Sequence, residues 1–265
     1  MTAPVLFDRT ALRQHRARAT ALYLQEAVAS ETLDRLQEVN RTFTNPAVVT
    51  PFPQVWRGLE ARAVPDDETL ALEPAAHDLV IHGLCLHWSN DPVGQLIQCR
   101  RALKPDGMFI ATLFGGETLA ALRAALAEAE IAVTGGLSPR VAPMGEIRDL
   151  GALLQRAGFA LPVADSLPYR VSHDGALALM RDLRAMGEGN ALRDRLRHPT
   201  RREVFARAAA TLGEGRIETL FEVVTLTGWA PGPDQPQPLR PGSATTRLED
   251  ALRKLNETGT DTADD

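Results

Sequence analysis

His87 and Trp88 follow closely on an apolar run, Leu79-Val80-Ile81-His82-Gly83-Leu84, which has the unbroken hydrophobicity of a strand buried on both faces. In open α/β sheets, ligands lie beyond the carboxyl ends of such strands, so this pair stands where chemistry is done. His87 has two readings: a general base for a nucleophile that arrives protonated, or a ring that caps and hydrogen-bonds locally. Trp88 either faces a substrate or packs the strand edge. A second run, Met108 to Phe114, ends in Gly115-Gly116, and Phe114 with the two glycines should line the same cleft. The glycines allow a ligand close to the backbone, or serve a tight strand-to-helix turn. Arg140, in Ser138-Pro139-Arg140, offers a guanidinium to an anionic group or sits on a surface turn. Asp66, Asp67 and Glu68 are ligand contacts or a solvated cluster at a helix start. His82, inside a strand, reads as an interior histidine.

Other chemistries are excluded by spacing. The six histidines show no metal-ligand pattern, and Cys85 and Cys99 form neither a zinc motif nor a disulfide framework. There is no nucleophile elbow and no P-loop. Of 20 glycines only Gly58, Gly83 and Gly94 precede residue 107, which excludes a glycine-rich nucleotide loop near the amino terminus. A net charge of -5 argues against non-specific binding to nucleic acid or an anionic membrane. No apolar run approaches the roughly 18 residues of a membrane span. Met1 to Arg9 lacks the apolar core of a signal peptide, so a cytoplasmic location is expected. With 265 residues, 44% of them hydrophobic, the chain can bury one substantial core.

The elements that must position these residues follow from periodicity. Residues 10–39 suit one amphipathic helix or two, broken near Ser30-Glu31. Arg9, Arg13, Arg16 and Arg18 crowd its first half, as a solvated face or, more sharply, a docking surface for an acidic partner. Asn45 to Pro74 is irregular and holds five prolines, with a short strand expected at Ala47 to Thr50 and a further short apolar piece at Ala61 to Val64 ahead of Asp66, Asp67 and Glu68. Pro92 opens a helix through Leu103, and Lys104-Pro105-Asp106-Gly107 stops it and turns the chain into the Met108 strand. This is a βαβ unit. Helices are expected over Thr118 to Glu130, Ile147 to Ala157 with Gly158 as its cap, Asp174 to Met186, and Thr200 to Leu212. Strands are expected over Leu161 to Val171 and Ile217 to Trp229. A proline-rich segment and a disordered acidic tail from Asn256 to Asp265 end the chain.

Asp78-Leu79-Val80-Ile81, Leu86-His87-Trp88-Ser89-Asn90-Asp91 and Arg101-Ala102-Leu103-Lys104-Pro105-Asp106-Gly107 together resemble the second half of a class I S-adenosylmethionine-dependent methyltransferase. Further segments narrow the resemblance: Phe7-Asp8-Arg9, Val39-Asn40-Arg41-x-Phe43, Phe114-Gly115-Gly116-Glu117-Thr118-Leu119, Gly136-Leu137-Ser138-Pro139, Met186-Gly187-Glu188-x-Asn190 and Arg240-Pro241-Gly242-Ser243-Ala244. These are similar to bacterial relatives of a mitochondrial complex I assembly factor, a methyltransferase-fold arginine hydroxylase. A weaker likeness, through Leu86-His87-Trp88, is to the malonyl-acyl-carrier-protein methyltransferases.

The resemblance implies an α/β fold with a Rossmann-type, mostly parallel sheet, truncated in its first half, with an N-terminal helical extension (1–44) and a methyltransferase-like domain (45–245). A helical insertion falls near 174–212, and 246–265 forms a helix end and tail. It implies S-adenosylmethionine as cofactor, contacted by Asp66, Asp67, Gly83, Leu84 and Leu86, and a substrate beside Trp88, Phe114, Gly115, Gly116 and Arg140, with His87 as the catalytic candidate. The implied partner is a protein substrate or a respiratory complex I subunit. The family places a first strand, a glycine-rich turn and a second strand ahead of Asp78. Here only Asn45 to Pro74 is available for what ordinarily takes about 30 residues by itself. No Gly-x-Gly is present, and Val48-Val49-Thr50-Pro51-Phe52-Pro53 reads as a relic of the first strand.

Overall fold

A computed structural model describes residues 5–233 and residue 235. Met1–Gly232 forms one compact unit and carries every element below. The Arg240 to Ala244 motif, the acidic tail and most of the proline-rich segment lie outside the described residues.

The chain runs α1 (Arg9–Arg16), α2 (Tyr23–Glu38), β1 (Pro46–Val49), β2 (Arg62–Val64), β3 (His77–His82), α3 (Pro92–Ala102), β4 (Leu103–Phe114), α4 (Ala120–Thr134), α5 (Ile147–Ala157), β5 (Ala160–His173), α6 (Ala176–Ala185), α7 (Arg202–Leu212) and β6 (Ile217–Trp229). The strands form one six-stranded sheet in the order β2-β1-β3-β4-β6-β5. The β1–β2, β1–β3 and β3–β4 pairs are parallel, and β6 runs antiparallel to both β4 and β5. This is the expected methyltransferase-like α/β sheet. Its shortened first half is visible in the link between β1 and β2. A parallel crossover ordinarily carries a helix, whereas here Thr50 to Ala61 contains a single 3₁₀ turn, Pro53–Trp56.

Alternation along the buried strands divides the core between two faces. Val80, Phe109 and Ala111 pack with Leu96 and Cys99 of α3 and Leu154 of α5. Leu79, Ile81, Met108 and Ile110 point the other way, onto Ala29 and Leu36 of α2 and onto Trp56. A further cluster at the carboxyl end of β4 joins Phe114 and Phe221 to α4, α6 and α7. Local chemistry sets the helix ends. Asp8 caps α1 by accepting from the Ala11 N–H, and Asp91 caps α3 from the Gly94 N–H with Pro92 at the first helical position. Gly158, at φ 81°, closes α5.

Three boundaries differ from expectation. The amino-terminal break falls between Arg16 and Tyr23, not at Ser30-Glu31, because α1 turns away to pack Leu12 and Ala11 with Phe7, Trp88 and Leu192. The α4 helix starts at Ala120, since Thr118 spends its hydroxyl on the Glu222 carbonyl and Leu119 adopts φ 56°. Lys104 to Gly107 is absorbed into β4 as an irregularity, with Asp106 at φ 60°.

Phe109 is fully buried on the central strand and stacks on Phe159 at 4.7 Å between ring centroids. Phe109→Ala is expected to lower the unfolding free energy by about 3–5 kcal/mol in urea titrations.

Candidate functional site

Asp66 follows β2 and is buried, and its carboxylate is clasped by two arginines of α1. Arg16 Nη1 lies 2.5 Å and Arg9 Nη2 3.1 Å from Oδ2. Arg9 also donates to the Asp66 carbonyl and, 3.2 Å away, to the Trp88 carbonyl. The arginine-rich helix is thus not a uniformly solvated face: Arg9 and Arg16 turn inward while Arg13 and Arg18 stay exposed. Asp67 is exposed and its carbonyl accepts from Gln95 Nε2, while Glu68 accepts from Asn90. None of the three acidic residues starts a helix.

Gly83 sits at the end of β3, where its N–H bonds the Val49 carbonyl, and its missing side chain leaves room for the indole of Trp56. A Cβ at this position would collide with that ring. Leu84 and Leu86 are both buried in the core. The fold family implies an adenosyl cofactor along this edge. Here the space against Gly83 is held by Trp56, and the acidic group suited to a nucleoside is already neutralised by Arg9 and Arg16. As placed, these residues do not fit that group.

Beneath this edge lies a Cys–His–Gln arrangement with the outline of a nucleophile, base and orienter. Cys85 Sγ is 3.3 Å from His82 Nδ1, and Gln95 Oε1 is 2.8 Å from His82 Nε2. Burial lowers His82 to about 4, against the Gln95 hydrogen bond, and pushes the Cys85 thiol well up. The pair therefore rests neutral in the core and packs rather than reacts.

The open volume lies on the other side, beyond the carboxyl end of β4. A cavity of about 650 Å³ is bounded by Phe114, Leu122 and Leu126 of α4, Phe205 of α7, Phe221 of β6, Trp88, and the Arg140 to Met144 segment. Of the residues singled out from sequence, Trp88, Phe114 and Arg140 meet here. His87 lies just behind, its ring centroid 4.6 Å from that of Phe114. Its Nδ1 accepts from the Phe114 N–H at 3.4 Å, which leaves Nε2 to face Glu188 at 3.5 Å. Gly115 and Gly116 are turned instead toward the carboxylates of Glu222 and Glu146. Arg140 is held by two hydrogen bonds to Glu130, of 2.7 and 2.9 Å, and one to Thr200.

Glu188 is the residue that sequence reasoning passed over, although it lies within the quoted Met186-Gly187-Glu188 segment. Its side chain is 5% exposed, accepts a 2.6 Å hydrogen bond from Trp88 Nε1, and borders the cavity. Burial alone would raise its carboxyl. The His87 hydrogen bond, the charge of Arg16 and the Trp88 hydrogen bond outweigh that and hold it below the usual value. Gly187, at φ 83°, lets the Glu188 loop approach Arg16 closely. Trp56 was equally unmarked, since nothing in its local pattern shows that it would reach Gly83. Among the described residues no group of three or more His, Cys, Asp or Glu could hold a metal ion, and no helix is long and apolar enough to cross a membrane.

Sheet order, the βαβ unit and a ligand-sized cavity beyond the strand ends define a protein with the methyltransferase fold. A family model described as a methyltransferase domain matches residues 13–111. The crystal structure of a Bacillus halodurans protein classed as a methyltransferase superimposes with a TM-score of 0.50 at 10% identity, covering 76% of this chain and 98% of that one. The arginine-hydroxylase NDUFAF5, mitochondrial, of Danio rerio is 32% identical over 97% of this chain and 92% of its own length. A malonyl-[acyl-carrier protein] O-methyltransferase of Xylella fastidiosa is 34% identical over 63% of this chain and 56% of its own. The chain belongs to the NDUFAF5 family and carries the methyltransferase fold.

Two variants test the electrostatics. Asp66→Asn removes the carboxylate that Arg9 and Arg16 share and leaves the buried Arg16 without it, and is expected to cost about 3–5 kcal/mol in denaturant titrations. Glu130 is held at about 2, against an ordinary 4.5, first by its hydrogen bonds from Arg140. Its contribution is full above the unfolded value and is lost as pH falls from about 4.5 toward about 2. The stability deficit of Glu130→Gln should therefore shrink across that window when urea midpoints are compared.

Proposed function

We propose that this chain acts as a binding factor in the assembly of respiratory complex I, working through the methyltransferase scaffold without methyl transfer. The observation that carries this is the filled nucleoside edge, where Trp56 occupies the space against Gly83 and Asp66 is committed to Arg9 and Arg16. Methyl transfer depends on holding a sulfonium donor in line with the acceptor, and the residues that would hold it are engaged with one another. The family likeness set out from the sequence supplies the partner, a complex I subunit. In this reading Trp88, Phe114 and Arg140 face the bound partner across the cavity. His87 positions Glu188 and is not a base. The protein works in the cytoplasm, with no nucleic-acid partner.

A second reading has one observation in its favour. The run from Asp66 to Gly116 is intact, and its buried His87 faces Glu188, a carboxylate that borders the cavity. If Trp56 swung aside, Asp66, Asp67, Gly83, Leu84 and Leu86 would form the cofactor edge, with His87 as base. Arginine hydroxylation, the activity in the Danio rerio relative's name, would further need an oxidant.

Isothermal titration separates the readings. The folded chain is expected to give no binding heat with S-adenosylmethionine or S-adenosylhomocysteine at millimolar ligand, and micromolar binding of either would overturn the proposal. A tagged chain is expected to recover a complex I subunit from its own host. Normal complex I levels in a deletion strain would remove the assembly role.

A further inference from the structure

The cavity beyond β4 has walls of one character and a mouth of another. Phe114, Leu126, Met144, Phe205 and Phe221 make its interior apolar, and its volume of about 650 Å³ lies within the range of small-molecule sites. Arg18, Arg181 and Arg184 border it and are exposed. Among the described residues, none of these three guanidinium groups has a carboxylate partner, although acidic residues outnumber Lys and Arg by 34 to 29 over the whole chain. His15, on the same border, adds no charge. Burial lowers it, the Gly189 carbonyl works the other way, and the charges of Arg195, Arg18 and Arg184 lower it further. The positive charge of the mouth therefore belongs to arginine. Deeper in, the Glu188 carboxylate also borders the cavity and stays ionised, so an anionic group entering head first would be repelled.

We propose that this chamber binds a long-chain carboxylate, with its aliphatic tail among the aromatic and aliphatic walls and its head group at Arg18, Arg181 and Arg184. The two charge signs fix the orientation: the anion stays at the mouth and the tail goes in. Burial of methylene groups supplies the affinity, and arginine's forked donors suit a carboxylate. A peptide segment fits less well, because each residue carried inward brings an N–H and a C=O that need partners, and the walls are chiefly side-chain hydrocarbon. The proposal goes beyond the assembly role at the same chamber: it says what fills the interior, and it holds or fails on ligand binding whether or not a complex I subunit is recovered.

The test is a fluorescence titration of the full chain with cis-parinaric acid, competed separately by palmitate, methyl palmitate and an acidic peptide. One saturable site per chain is expected, displaced by palmitate and not by its methyl ester. The double variant Arg181→Gln/Arg184→Gln should weaken binding roughly tenfold with an unchanged melting temperature, since both side chains are exposed and unpaired. Met144→Trp should fill the chamber and abolish binding; if it fails to fold, the charge variant alone decides. Absence of saturable binding by folded protein would overturn the proposal. So would binding that the charge variant leaves unchanged, or displacement by the acidic peptide where palmitate fails, which would assign the mouth to a protein partner.

Discussion

A carboxyl group taken out of water needs partners that replace the lost hydration. Asp66 meets that demand with two guanidinium groups from a helix that begins more than fifty residues earlier in the chain. The clasp fixes the orientation of α1 against the strand ends. Through Arg9 it also fastens the Trp88 carbonyl, so the tryptophan and the histidine before it are held from two directions. Removing the carboxylate would free the helix that carries His15 and leads to Arg18, and so alter one border of the chamber.

The shortage of glycine in the first hundred residues acts alongside this clasp. A glycine-rich turn lets phosphate or sulfonium groups come close to the backbone, and without one the same edge needs another filling. The chain supplies a tryptophan on a short 3₁₀ turn, set against the single glycine at the end of β3. The strand framework of the fold persists because β1 pairs in register with β3 through Val49 and His82, whatever lies in the loop that follows.

Most of the architecture was legible because it rests on local periodicity. The apolar runs at Leu79 and Met108, Pro92 as a helix opener and Gly158 as a cap are each decided by a few neighbouring residues. What was not legible depends on residues far apart in sequence. Arg16 reads as one of several surface arginines until Asp66 arrives beside it. Arg140 reads as a turn residue until Glu130 and Thr200 receive it. Glu188 lies a hundred residues from Trp88, and no spacing rule connects an indole donor to a carboxylate across that distance.

Phe7 forms a bridge with Leu192, and the Asp8 N–H bonds the Ala191 carbonyl, so the start of the chain is stitched to a segment nearly two hundred residues later. Phe221, from the last strand, supplies another wall of the same chamber. On a ribosome, then, the β1 to β4 framework can form early, while the chamber must wait until almost the whole compact unit has emerged. A product truncated before β6 would lack Phe221, and with it one wall of the pocket, as well as the strand that pairs with β4.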